Sequence, residues 1–221
     1  MKYSAKRAPP QRFVDWLAKA NDDWVPSYRN LQNPEIGELR EALLVEQEFV
    51  CCYCGRALKG DQTDSHIDHF RPQKIYNGEE GMADLTLSYG NFLASCGPPT
   101  RGGRPSTCGD AKGDQFDEAA HVEPWDPQCE RRFVYGSSGE VRAFVNGDSG
   151  AETMVEILKL REQSLVLERR TLLAAFEADI ASGAITAGNV AEEIRRLRAA
   201  TAGRRIGFSH VAARYLETEL G

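Results

Sequence analysis

Apolar positions fall at helical spacing in the first part of the chain. Phe13, Trp16 and Leu17 share a face, and Leu39, Leu43, Leu44 and Gln47 resume it after the interruptions at Pro26 and Pro34. This spacing predicts a helical lead-in over residues 1–50. From Cys51 to Tyr76 the pattern shortens to Cys-x-x-Cys, then polar Lys59-Gly60-Asp61, then His66-Ile67-Asp68-His69-Phe70 ending at Pro72. That pattern predicts a hairpin whose second strand stops at the proline, with Asp68 and His69 at the strand end. Asn77-Gly78 opens a polar loop, after which Leu85, Leu87, Tyr89, Phe92, Leu93 and Ala94 return to ordered structure and run into Cys96. The Gly- and Pro-rich run Gly97–Pro105 reads as an exposed loop carrying Arg101 and Arg104. Arg131–Tyr135 and Glu140–Val145 flank Gly136-Ser137-Ser138-Gly139 as a β-hairpin. Beyond Ala151 two helical stripes follow, Val155, Leu158, Leu165, Leu172 and Phe176, then Val190, Ile194 and Leu197. The expected fold is α+β. It divides into a helical lead-in (1–50), a central core (51–116), a connector with a β-hairpin (117–150) and a helical C-terminal region (151–221), forming one compact unit.

Composition narrows the class. The chain has 221 residues, 41% hydrophobic and 27% charged, in the range of soluble globular proteins. No apolar run approaches the ~20 residues needed to cross a bilayer. The N-terminal Met1–Arg7 is followed by Ala8-Pro9-Pro10 without an apolar signal core, so the expected location is the cytoplasm. There, six cysteines are better explained by metal than by disulfides. A net charge of −6 argues against a sequence-independent DNA coater, so any contact with nucleic acid must be local, metal-assisted or shared with a partner.

The candidate chemistry lies between Cys51 and Lys112. Cys51 and Cys54 place two thiolates on one turn, and Cys96 and Cys108 supply the other two positions of a tetrahedral structural Zn²⁺. The gap between the pairs is far wider than the about 15–20 residues of a simple zinc ribbon. Buried cysteines or a redox dithiol are the competing readings; Cys52 and Cys129 are left over. Inside the gap stand Asp68, a carboxylate suited to a hard divalent ion, Mg²⁺ or Mn²⁺, and His69, suited as general base for an attacking water. Two adjacent residues can serve one site only if the backbone turns there. His66 is open between a second metal ligand, a phosphate contact and an ordinary strand residue. Asn91 is placed to hold the loop carrying His69, or to act as a turn residue. Asp110 is open between a metal ligand and a helix cap. Arg71 and Lys112 are candidate nucleic-acid contacts.

The blocks Ala42–Gln47 leading into Cys51-Cys52-Tyr53-Cys54, His66–Pro72, Asn91-Phe92-Leu93-Ala94-Ser95-Cys96 and Cys108-Gly109-Asp110-Ala111-Lys112-Gly113 resemble the HNH nucleases of bacterial anti-phage systems, the nuclease subunits of Septu-type and related retron systems. The similarity continues through Pro124-Trp125-Asp126-Pro127 and the Phe133–Val145 hairpin, covering roughly residues 10–180. It implies a zinc-stapled ββα-metal core, cleavage of DNA or RNA during phage infection, and control by an ABC/SMC-like ATPase partner. By position, His69 matches the general base, Asp68 the metal-binding acid, Asn91 the motif asparagine and the four cysteines the zinc ligands. In the broader HNH pattern a His often follows the last cysteine; here Gly109 stands there, which leaves the third metal position among Asp110, His66 and water.

The arginines Arg195, Arg196, Arg198, Arg204 and Arg205 are open between a phosphate- or partner-binding patch and a solvated mixed face, since Glu192 and Glu193 stand beside them. Trp16, Trp24 and Trp125 read as core or interface anchors, and His121 and His210 receive no role. The leading expectation is a metal-dependent endonuclease acting on nucleic acid, DNA first. The alternative is a non-catalytic zinc adaptor docking on an ATPase or nucleic acid. A thiol oxidoreductase on Cys51 and Cys54 leaves the other motif residues unexplained.

Overall fold

The structure is a computed structural model that describes residues 1–60, 64–79, 84–97 and 105–221. The expected loop arginines, Arg101 and Arg104, and Asp61 lie outside the described residues.

The fold is α+β, with two small antiparallel sheets among helices. The N-terminal part is only partly helical. Helices α1 (Gln11–Leu17) and α2 (Glu35–Glu46) carry the apolar faces read from the sequence, but the first residues run extended through the interior. Lys2 N–H donates to the Cys52 carbonyl at 2.9 Å and Ser4 N–H to the Pro124 carbonyl at 2.9 Å.

The central sheet pairs β1 (Ser65–His69) with β2 (Phe92–Cys96), in register Ser65↔Cys96 through His69↔Phe92. The strand at His66 therefore does not pair back onto the cysteine turn, where Val50↔Ala57 makes only an isolated bridge. Its partner lies across the 70–91 excursion. β2 is buried along its whole length, with α2 and the short helix α3 (Cys108–Lys112) packed against it.

Gln47 ties α2 to the outer edge of β2. Its fully buried amide donates to the Ala94 carbonyl at 2.7 Å and to the Val50 carbonyl at 3.1 Å, and accepts from Ala94 N–H at 2.7 Å. One side chain thereby pairs the Ala94 N–H away from water and gives the Ala94 carbonyl, which also takes a 3.4 Å bond from Cys52 N–H, its shorter partner.

The second sheet is the expected hairpin, β3 (Phe133–Tyr135) with β4 (Val141–Ala143). Helices α4 (Ser149–Ile157), α5 (Gln163–Ala181), α6 (Val190–Arg198) and α7 (Ser209–Leu220) follow. Helix α7 packs on β3, α5 and α6. Its buried His210 lies over Gly55, where a Cβ would come within 2.1 Å of the ring. With φ at +81° and no room for a side chain, Gly55 is required twice over. No helix of the described residues is long and apolar enough to cross a membrane.

The arginine-rich stretch near the C-terminus is largely self-neutralised. Arg195 pairs with Glu192, Arg196 with Glu193, Arg198 with Glu217 and Arg205 with Glu48. Trp16 meets Trp24 edge-on at 5.5 Å, and Trp125 meets Phe70 at 5.0 Å, so all three tryptophans serve packing.

Replacing Gln47 by Leu keeps the volume and removes the pairing. It should lower stability by about 1–3 kcal/mol, the cost of leaving the Ala94 N–H without its partner while the Ala94 carbonyl keeps only the 3.4 Å bond from Cys52 N–H. Urea unfolding with an unchanged midpoint would contradict this role for Gln47.

Candidate metal centre and catalytic residues

The four cysteines meet. Sγ atoms of Cys51, Cys54, Cys96 and Cys108 all lie within 4.8 Å of one another, and all four residues are buried. A tetrahedral ion with Zn–S bonds of about 2.3 Å needs sulfurs roughly 3.8 Å apart, so this cluster could hold a metal such as zinc with little movement. Each ligand comes from a locally fixed element. Cys51 and Cys54 sit on a turn closed by Gly55 N–H to the Cys51 carbonyl at 2.8 Å, and Arg56 N–H donates to the Cys54 sulfur at 3.4 Å. Cys96 ends β2 and Cys108 opens α3. Cys108 has φ of +60°, a conformation costing a non-glycine residue about 1–3 kcal/mol, and its N–H is held by the Leu158 carbonyl at 2.8 Å. Ser95 Oγ accepts from Gly109 N–H at 3.0 Å and lies 3.9 Å from the Cys51 sulfur, joining β2 to the start of α3.

The cysteines also show how a metal-free cluster would be charged. Burial opposes ionisation of Cys51, but hydrogen bonds from Cys108, Cys52, Cys54 and Cys96 outweigh it and hold its pKa well below the ordinary thiol value. Burial together with the bonds given to Cys51 pushes Cys108 well up. Ionisation is thus favoured at Cys51 and opposed at Cys108, and a full set of thiolates requires a cation.

Asp68 lies on the face of β1 turned to this cluster and to α3. Its Oδ2 accepts from the buried Tyr53 hydroxyl at 2.5 Å and lies 3.6 Å from Lys112 Nζ. Lys112 does not face outward: it is 1% exposed, and Nζ donates to the carbonyls of His69 at 2.8 Å, Phe70 at 3.3 Å and Gly113 at 3.3 Å. The expected phosphate contact is thus an internal clamp on the backbone that leaves β1. Burial and the Asp68 charge raise the Tyr53 pKa well above the usual phenol, which keeps it a donor. Gly109 abuts the other Asp68 oxygen: a Cβ there would stand 2.7 Å from Oδ1.

Asp68, Asp110 and His66 do not assemble into a metal-binding trio. Among the described residues the four cysteines are the sole group of three or more metal-ligating side chains. The exposed carboxylate of Asp110 is taken by the Ser106 hydroxyl at the start of α3, and His66 Nδ1 is buried without a hydrogen-bond partner among the described residues.

His69 lies on the opposite face. It directly follows Asp68 in an unbroken ladder, Asp68↔Leu93 and His69↔Phe92, so the two side chains leave opposite sides of β1. The turn expected between them comes only after His69. The imidazole meets Tyr28 edge-on at 4.5 Å and Phe92 at 4.8 Å. Its Nε2 lies 3.0 Å from the Thr86 carbonyl and its Nδ1 3.2 Å from the Gln73 amide nitrogen. A carbonyl can only accept, so Nε2 carries the proton and Nδ1 holds the lone pair. Burial lowers the His69 pKa, against the raising effect of the Thr86 bond and of Asp68.

Asn91 fastens the segment that follows. Its Oδ1 accepts from Arg71 N–H at 2.7 Å, and its Nδ2 donates to the Arg71 carbonyl at 2.9 Å and the Leu85 carbonyl at 3.2 Å. The Asn91 carbonyl accepts from Phe70 N–H at 2.9 Å. The Arg71 side chain bonds Glu118 at 2.9 Å and Glu123 at 3.2 Å, so as it stands it is neutralised rather than free for phosphate.

Tyr53, Gln73 and the Thr86 carbonyl are the participants that sequence reading does not find. Tyr53 alone had a signal, a polar-tipped ring inside a metal turn, whereas the others act through folding of the 70–91 excursion. No protein-family model matches this chain, and no curated protein matches it significantly.

Nitrogen-15 NMR at neutral pH should show His69 as the Nε2–H tautomer, titrating below the ordinary 6.5. Because the folded value is depressed, acidification through 6.5 protonates the unfolded chain first, so this residue's effect on stability is a loss as pH falls toward its folded pKa. An Nδ1–H tautomer, or a titration above 6.5, would contradict the geometry.

Proposed function

We propose that this chain is a metal-dependent endonuclease of the HNH type, built on a zinc-stapled ββα-metal core, that hydrolyses phosphodiester bonds of nucleic acid, DNA first. The observation that carries the reading is His69: a neutral imidazole with one nitrogen pinned to a carbonyl and the other presenting its lone pair. That is the state a general base must hold before it takes a proton from water attacking phosphorus. Asn91 and Lys112 fix the backbone that leads on from it, which limits the directions in which the ring can drift.

A divalent ion, Mg²⁺ or Mn²⁺, would neutralise charge on the phosphorane and the leaving oxygen when bound. The residues present do not, as the chain stands, bring such an ion to His69: the nearest carboxylate, Asp68, leaves β1 on the opposite side, with its Oδ2 engaged by Tyr53 and Lys112. Nor do the residues present fit an ion held by Asp68, Asp110 and His66 together. Gly109, where the broader HNH pattern carries a His, packs directly against Asp68 and offers no ligand.

The Gln73 amide occupies the Nδ1 lone pair that catalysis requires, so substrate engagement must displace it. That resting cover, with the neutralised Arg71 and the acidic chain, accords with control by a partner, for which an ABC/SMC-like ATPase in anti-phage defence is the proposed candidate. The same features favour the second reading, a non-catalytic zinc adaptor docking on an ATPase or on nucleic acid.

Plasmid and oligonucleotide cleavage, assayed with the partner present in Mg²⁺, Mn²⁺ and EDTA, separates the two. The endonuclease reading expects cleavage that EDTA abolishes and that His69→Ala slows by roughly 10²–10⁴-fold. The acid limb of the rate should have its midpoint below 6.5, since the deprotonated ring is the active form and burial favours it. Equal cleavage by His69→Ala removes the base assignment, and no cleavage with any metal favours the adaptor.

A further inference from the structure

Arg169, in α5, is the largest fully buried side chain of the described residues, 1% exposed. Its Nε donates to the Gly139 carbonyl at 2.7 Å and its Nη2 to the Leu160 carbonyl at 2.7 Å, and the guanidinium lies 6.0 Å from the Tyr135 ring. Among the described residues it makes no ion pair with a carboxylate. Glu140 is within electrostatic range but exposed to solvent, and Tyr135, whose pKa burial pushes up, is neutral. A guanidinium keeps its charge, and a buried charge with no counter-charge costs several kcal/mol. Two carbonyl bonds engage two of its five N–H donors without balancing that charge.

The neighbouring group able to become anionic is the cysteine cluster. Cys108 N–H is bonded to the Leu158 carbonyl, two residues before the Leu160 carbonyl that holds Nη2. On the other side Glu168, next to Arg169 in α5, bonds Arg56, whose own N–H reaches the Cys54 sulfur. Helix α5 is thereby linked to the cysteine turn at Glu168, next to Arg169. Burial lowers the Arg169 pKa, and Cys54 and Cys108 are among the groups that oppose that shift. Arg56 already has Glu168; Arg169 has no such partner. Four thiolates around a divalent ion leave a dianion, and its field is strong where water is excluded.

We propose that Arg169 is the internal counter-charge of the zinc-loaded cysteine cluster, so that metal binding and the seating of α5 against the β3–β4 turn stabilise each other. This rests on the cysteines holding zinc. With the ion bound, guanidinium and dianion offset each other's burial; without it, Arg169 is an uncompensated charge beneath α5.

The test compares Arg169→Met with Arg169→Lys in the full zinc-loaded chain by transfer of zinc to a chromogenic chelator. Loss of the charge should weaken zinc retention by about 10–100-fold, the range for groups that support metal ligands from behind, whereas Lys should stay close to the parent. In a Cys54→His background, where a neutral ligand removes one negative charge from the cluster, the penalty of Arg169→Met should shrink. A purely packing role would weaken neither retention nor its dependence on cluster charge. Should Arg169→Met fail to fold, Arg169→Gln set against Arg169→Lys makes the same comparison, since both lose part of the carbonyl bonding and differ in charge. Equal zinc retention by charged and neutral variants, or a penalty unchanged in Cys54→His, would overturn the proposal while leaving the zinc reading intact. A parent chain that binds no zinc would overturn that reading, and the proposal with it.

Discussion

The constraint on which the centre depends is the meeting of four sulfurs from three separate segments. Cys51 and Cys54 come from the turn after α2, Cys96 from the end of β2 and Cys108 from the start of α3. None of these elements is stable by itself. Two five-residue strands and a five-residue helix lie below the size at which a hairpin or helix persists alone in water. A shared ion would join their ends at the points where local propensity gives out. The Leu158 bond holds the left-handed backbone at Cys108 from one side, and sulfur ligation of a shared ion would hold it from the other.

Around that junction the molecule balances buried charge by internal pairing. Asp68 is answered by Tyr53 and Lys112, and Lys112 also gathers the carbonyls of the chain leaving β1. Glu46, buried at the end of α2, accepts from Tyr89 at 2.9 Å and pairs with Lys6, which also donates to the Phe92 carbonyl at 2.8 Å. These polar links give β1–β2 a single orientation, because each half-satisfied alternative would strand a charged group away from water. The imidazole of His69 gains its fixed tautomer from that rigidity rather than from a neighbouring carboxylate.

Local patterns were legible in the sequence and remote ones were not. The 133–145 hairpin and the C-terminal helices could be read because turn residues and apolar spacing act over a few positions. So could the cysteine quartet, because thiols have few other uses in such a pattern. The partner of β1 was misread: its pairing crosses the 70–91 excursion, and the nearer Cys51–Ala57 segment offered a plausible local mate that makes a single bridge. The first residues, expected within the helical lead-in, lie extended in the interior through bonds to Cys52 and Pro124, which no periodicity records. Lys112 and Arg71 looked like surface cations. Helix α3 turns the first inward onto carbonyls, and Glu118 and Glu123 claim the second. Asp68 and His69 could serve one site only with a turn of the backbone between them, and the ladder instead continues through both residues.

The most direct test of the account is X-ray absorption at the zinc edge on the purified full chain. Four sulfur scatterers at about 2.3 Å, with no nitrogen or oxygen in the shell, are predicted. A zinc-free chain, or a shell of mixed nitrogen and oxygen ligands, would contradict the claim that the cysteine cluster holds this centre together.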